Sequence, residues 1–207
     1  MRRCHHRRAG LAALLAAVLT GATLLQGCNA VEPEFDPMTP PPGQGPFTGT
    51  VADWPLWFVW HQFGTHCFSV QSCKIIYAGH PHGVERPGRS LESIGRPIEQ
   101  IISADMGPIR NFPAPAEVTW TALDGTPLTA SVNVAEIFAD RLVRHTVARE
   151  DILEDSNIPY PGIILVVDDR TITVYMSTWM ALKTRTNPDN PHSNQHSGVV
   201  LVHTKTY

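Results

Sequence analysis

The sequence predicts an α+β fold that is mainly β: an antiparallel sheet built from hairpins with a few short helices. The first reason is residues 117–134, in which apolar and polar side chains alternate on both sides of Asp124-Gly125. Two runs of period 2 around Asp-Gly are typical of a β-hairpin, and Pro127 indicates a turn longer than two residues.

The second reason is residues 163–176, which predict another hairpin turning at Asp168-Asp169. Apolar side chains of its second strand share one face: Ile172, Val174 and Met176. Residues 199–207 predict a last strand, and a polar loop is expected before it at 186–198.

The remaining segments predict shorter elements. Short helices are expected at 135–142 and 149–154, and residues 68–77 favour a hairpin closed by a disulfide. Residues 78–96 are rich in Gly, Pro, His and Arg, which is typical of a loop. Residues 53–60 hold three tryptophans, and we expect them to pack in the core rather than to form a membrane-interface belt.

The N-terminus predicts an export signal at residues 1–27. Four arginines precede an apolar run that ends in Leu25-Gln26-Gly27-Cys28, and these are the parts of a secretory signal. The ending resembles the lipobox of bacterial lipoproteins, which implies lipidation of Cys28 and cleavage just before it. A signal-anchor helix with an incidental cysteine is the alternative. Asn29 favours the outer membrane by resemblance to other lipoproteins, so the expected location is the periplasm, lipid-anchored.

Residues 28–50 predict a lipidated stalk, because six prolines and three glycines leave little apolar surface to bury. A single β-rich domain is expected at 51–207. Without the signal, Lys and Arg fall from 16 to 12 against 19 acidic residues, which moves the formal net charge from −3 to −7. This charge argues against nucleic acid as a partner, since phosphate binding needs a basic patch.

Two cysteines remain in the mature domain, Cys67 and Cys73, six positions apart. In an oxidising compartment we expect them to form a disulfide across a tight turn. A metal pair is the competing interpretation, but zinc sites normally have a closer cysteine spacing and a second pair.

The sequence has no motif that fixes a catalytic geometry, so no catalytic residue, cofactor or metal ligand is predicted. The acidic pairs favour helix starts or turns: Glu150-Asp151, Glu154-Asp155 and Asp168-Asp169. Eight histidines remain: His61, His66, His80, His82, His145, His192, His196 and His203. The spacings of His80 with His82 and of His192 with His196 suit a weak metal site, but exposed loop histidines are the more common case.

Three stretches resemble periplasmic immunity lipoproteins encoded beside type VI secretion phospholipase effectors: 118–125, 164–176 and 205–207. This resemblance implies a non-enzymatic protein that binds and neutralises a secreted lipase toxin. A tight interface needs a few aromatic or Arg anchors. Arg170, Tyr175, Trp179 and the 78–96 loop are candidates, although each is individually more typical of ordinary surface or core.

Two other classes remain open. One is a structural or assembly lipoprotein of the envelope or of the secretion machinery. The other is a periplasmic metal-binding protein or metal-dependent hydrolase that uses the region of His80 and His82.

Overall fold

Nine strands and several short helices make up the part of the chain that the computed structural model describes, residues 36–84 and 87–207. The strands are β1 (Trp60–Phe68), β2 (Val70–Tyr77), β3 (His80–Val84), β4 (Met106–Arg110), β5 (Ala116–Ala122), β6 (Pro127–Val132), β7 (Gly162–Asp168), β8 (Thr171–Ala181) and β9 (Gln195–Thr206). The helices are α1 (Leu91–Ile94), α2 (Val134–Ile137) and 3-10 turns at Val51–Asp53, Ile98–Gln100 and Arg149–Asp151. The predicted fold class, α+β and mainly β, is confirmed.

The strands form two sheets, one of five strands in the order β4-β1-β7-β8-β9 and one of four in the order β3-β2-β5-β6. All neighbours are antiparallel except β1 and β7, which are parallel. The main core includes side chains from both sheets, such as Phe63 and Leu165 from the first and Ile75 and Trp120 from the second. Each sheet therefore contributes one apolar face to a shared core.

A second, smaller apolar cluster covers the other face of the five-stranded sheet. Ile164 and Val166 of β7 pack there against α1 and the residues that follow it, including Ile102. Ile163, Leu165 and Val167 point to the main core instead. A strand buried on both faces is apolar at nearly every position, which explains the continuous apolar sequence of β7.

Both hairpins predicted from alternation are present. β5 pairs with β6 around a turn that contains Gly125 at φ +87°. β7 pairs with β8, and Asp169 at φ +48° lies in the turn. The predicted second turn is therefore shifted by one residue, to Asp169-Arg170, because Asp168 still pairs with Thr171.

The hairpin predicted for residues 68–77 is wrong, because β1 and β2 lie in different sheets. The chain passes from one sheet to the other at Ser69, whose φ is +48°. Cys67 and Cys73 form the predicted disulfide, with their Cα atoms 6.3 Å apart. The bond therefore joins the two sheets at this corner rather than closing a hairpin.

Two predicted loops and two predicted helices also differ from the structure. The 78–96 segment contains β3 and α1, and β3 pairs with β2 around Ala78-Gly79, both at positive φ. This is the conformation of a two-residue hairpin turn. β9 begins at Gln195, inside the expected loop 186–198. The two predicted helices shrink to Val134–Ile137 and a 3-10 turn at Arg149–Asp151.

The compact unit begins at Asp36, which is earlier than the expected domain start at residue 51. Arg141 donates a hydrogen bond to the carbonyl of Pro37 at 2.9 Å, and Phe47 packs edge-on against Trp57 at 5.0 Å. Residues 36–50 are therefore held on the domain rather than free as a stalk. The expected signal, Cys28 and the rest of the stalk lie outside the described residues. Within the described residues, none of the helices is long and apolar enough to cross a membrane.

The tryptophan-rich segment supplies core side chains, but of its three tryptophans only Trp57 is buried. Leu56, Trp57, Phe58 and Val59 are buried, while Trp54 is partly exposed. The apolar part of this segment therefore has a structural role in the domain.

Candidate interaction surface

A groove of about 500 Å³ lies on the outer face of the five-stranded sheet, beside the layer formed by residues 88–105. Its floor is formed by β7, β8 and β9, and one wall is the end of the covering layer. Its lining is mixed apolar and polar: Gln62, Glu99, Ile102, Ser103, Ala104, Pro159, Tyr160, Gly162, Ser177, Thr178, Trp179, Ser197, Gly198 and Val199.

Two glycines of the five-stranded sheet let residues 88–105, the covering layer, lie close to the sheet at the groove. A Cβ at Gly64 would collide with the backbone of Ser103, and a Cβ at Gly162 would lie 2.7 Å from Cβ of Ala104. The Ser103 N–H also donates a hydrogen bond to Nε2 of His66 at 3.0 Å. The wall of the groove is thus fixed to β1 and β7 by close backbone approach and by a histidine.

Aromatic side chains stand at the open side of the groove. Tyr160 is 43% exposed and Trp179 is 40% exposed, and the ring of Trp60 lies 6.5 Å from that of Tyr160. Partly exposed aromatic rings beside hydroxyl and amide groups are typical of protein-binding surfaces, because one end of such a ring is apolar and the other can stay hydrated. This arrangement can bind an apolar or aromatic side chain of a partner.

The three individual residues suggested as anchors have different roles in the structure. Trp179 lines the groove at the surface. Tyr175 is 9% exposed and packs in the smaller apolar cluster, where burial raises the pKa of its hydroxyl. The Arg170 guanidinium donates to a carboxylate oxygen of Asp124 at 3.0 Å and to a backbone oxygen of Tyr207 at 3.1 Å. Arg170 therefore connects the β7–β8 turn with the β5–β6 turn and with Tyr207. Of these three residues, only Trp179 is exposed at the groove, where it can contact a partner.

His61 is fully buried in a polar network between the sheets. Its Nδ1–H donates to Oδ1 of Asn111 at 2.6 Å, and its Nε2 accepts from the Tyr77 hydroxyl at 3.0 Å. The Asn111 amide in turn donates to the carbonyl of Phe58 at 2.9 Å. Burial lowers the pKa of His61 to about 4 and raises that of Tyr77 above its usual range. The network is thus neutral, and each of its three buried side chains has a hydrogen-bond partner.

The other histidines are spread over the domain. His80 and His82 lie on β3, where His82 packs edge-on against Phe63 at 5.5 Å. His192 is exposed in the loop before β9, and His196 and His203 lie on β9. Between residues 36 and 207, apart from 85–86, the structure holds no group of three His, Cys, Asp or Glu side chains placed to hold a metal ion.

Two of the acidic pairs make structural contacts. Glu154 accepts from Arg149 at 2.7 Å and from Lys183 at 3.0 Å, and these bonds lower the pKa of Glu154 to about 2. Asp169 accepts a hydrogen bond from the N–H of Leu123 at 2.9 Å, which joins the turns of the two hairpins. Exposed ion pairs of this kind contribute little to stability.

Neither the groove nor the His61 network is predicted by the sequence. The residue type alone makes Trp179 a candidate, whereas Tyr160 lies outside any predicted element and is brought to the groove by the fold. The signal that was available is the pair of glycines in apolar strands, Gly64 and Gly162, since glycine inside a strand often marks a close approach of another segment.

No protein-family model, no curated protein and no solved structure matches this chain.

Proposed function

We propose that this protein is a periplasmic lipoprotein, held in the outer membrane through Cys28, that binds and neutralises a secreted phospholipase toxin. The observation that carries the proposal is the N-terminal sequence, in which a basic start and an apolar run end in Leu25-Gln26-Gly27-Cys28. A protein tethered in this way is located where a phospholipase attacks the membrane. The resemblance of the hairpin sequences to immunity lipoproteins supports the same role.

The groove is the surface that we assign to the toxin. Tyr160 and Trp179 offer two aromatic anchors, and tight complexes depend on a few such residues near the centre of the interface. Glu99 adds a carboxylate to the lining. A toxin segment with an apolar side chain and a neighbouring basic group would fit this lining best.

The test is a capture experiment with the tagged full chain, in a bacterium with an active secretion system. We expect a lipase toxin to co-purify in near-equal amounts, and toxin-exposed cells to survive when the chain is present. Recovery of envelope components alone, without protection, would contradict the proposal and favour an assembly lipoprotein.

Variants then test the surface. Tyr160→Ala and Trp179→Ala are each expected to weaken toxin binding by roughly 30-fold, the effect of losing about 2 kcal/mol at an interface anchor. Ile76→Ala is the matched control, because Ile76 is also 40% exposed but lies on β2 in the other sheet. Equal binding by all three variants would show that the toxin docks elsewhere.

A further inference from the structure

The two sheets have four edge strands, and within the described residues three of them are short and carry a proline. β3 and β4 have five residues each and contain Pro81 and Pro108, and β6 has six residues and begins at Pro127. β9 has twelve residues and no proline. Short edges and prolines prevent one sheet from pairing with another, so β9 is the edge that lacks both protections.

The half of β9 that lacks features opposing strand pairing is its first half. A bulge at Val202 interrupts the pairing with β8, and Lys205 follows it. Both features discourage pairing with a further strand. Before the bulge, residues 195–201 contain no Asp, Glu, Lys or Arg, and Leu201 is 56% exposed. Among the described residues no strand pairs with the outer edge of this stretch, and Leu201 adds an exposed apolar side chain.

We propose that the first half of β9 pairs antiparallel with the same segment of a second copy of this chain, around a two-fold axis at Val199. In this register Val199 lies opposite Val199 of the other copy, and Ser197 lies opposite Leu201. The two five-stranded sheets become one continuous sheet of ten strands. This inference does not depend on the proposed function. The paired segment would cover Trp179, so toxin binding at the groove would require the two copies to separate.

The side chains of this segment complement one another in that register. Trp179 of β8 is opposite Ser197 of β9, and both are on the outer face of the sheet. The small Ser197 leaves room beside the indole, and Leu201 of the second copy would enter that space. Because the axis is two-fold, the contact occurs twice and covers both exposed side chains, Trp179 and Leu201.

The absence of charged side chains also favours self-pairing. Side chains close to a two-fold axis meet their own copies, so an ionised group there would face a like charge. None of the residues 197–201 is ionisable. The paired segment thus brings together uncharged side chains from both copies.

Cysteine cross-linking in the bacterial envelope tests this register with the full chain. Val199→Cys is expected to give a disulfide-linked dimer on a non-reducing gel, because its two copies are directly opposite. Ser197→Cys and Leu201→Cys are each expected to remain monomeric when expressed alone, and to cross-link when expressed together. Thr204→Cys, beyond the bulge, is the matched control.

Two results would overturn the proposal. One is a Val199→Cys dimer no stronger than that of Thr204→Cys, and the other is equal cross-linking at all four positions, which indicates random collision. Sedimentation of the detergent-solubilised chain gives a second measurement. The wild type and Thr204→Lys are expected at dimer mass, and Val199→Lys at monomer mass. A monomeric wild type at micromolar concentration would also contradict it.

Discussion

His61 is a single buried residue on which the pH dependence of the whole domain's stability depends. It is buried with Tyr77 and Asn111 as its partners, and its two ring nitrogens have different roles, donor at Nδ1 and acceptor at Nε2. A proton added at Nε2 would bring a buried charge into a site that contains no carboxylate among these partners. The domain therefore holds His61 neutral.

We expect the free energy of unfolding to fall as the pH is lowered from about 6.5 to 4. The pKa of His61 is lowered to about 4 in the folded state, so below 6.5 the unfolded chain binds a proton that the folded chain does not. Above pH 6.5 His61 is neutral in both states, so it does not reduce the free energy of unfolding. By pH 4 about 3 kcal/mol of that free energy is lost. Urea denaturation across this pH range measures it.

A variant isolates the contribution of His61 to this pH dependence. His61→Gln removes the titrating group, so its stability should change less with pH than that of the wild type. Burial also lowers the pKa of His82 and His145, so part of the dependence is expected to remain. His192→Gln, in an exposed loop, should behave as the wild type does. Identical slopes for His61→Gln and the wild type would refute the assignment.

At the scale of elements, the contact between the covering layer and the sheet depends on glycine. Gly162→Ala is expected to lower the free energy of unfolding by about 1–3 kcal/mol, because the new methyl group would overlap Ser177 and Ala104. Gly45→Ala is the control, since a Cβ there meets no atom within 4 Å, and its effect should stay within about 0.5 kcal/mol. Equal denaturation midpoints for the two variants would contradict the close packing.

The elements also show which parts of this fold the sequence could predict. Both hairpins with an acidic turn were predicted, because alternation and turn residues are local signals. The β2–β3 hairpin was missed, since its turn uses Ala78-Gly79 instead of a typical Asn-Gly or Asp-Gly, and β3 contains a proline and a glycine. The change of sheet at Ser69 was missed because the sequence of a strand does not reveal which sheet it joins.

The candidate site was less predictable than the fold. The disulfide followed from the small number of cysteines and the expected compartment. The groove combines residues from β1, β7, β8, β9 and the covering layer, which are distant along the chain. Such long-range proximity leaves no local pattern in the sequence. Residue type makes Arg170 a candidate partner anchor, but its contacts with Asp124 and Tyr207 are internal.

For the whole molecule, the proposed lipid anchor determines where the domain acts. Cys28→Ser is expected to abolish incorporation of a fatty-acid label and to move the chain from the membrane fraction to the soluble fraction. Cys4→Ser should leave both unchanged, because Cys4 lies within the predicted signal. Membrane retention and labelling of Cys28→Ser would contradict the lipoprotein assignment. Both measurements use cell fractionation after metabolic labelling.

The parallel pair of β1 and β7 has a consequence for the timing of folding. Gln62 lies beside Gly162, and the sheet that contains them is completed by β9. About 100 residues separate these partners, and such long-range pairing slows folding. As the chain emerges from the ribosome, the five-stranded sheet stays incomplete until β9 has been made. For the export that we propose, this delay would keep the nascent chain unfolded long enough to be threaded through a membrane channel, so that it folds after release on the far side.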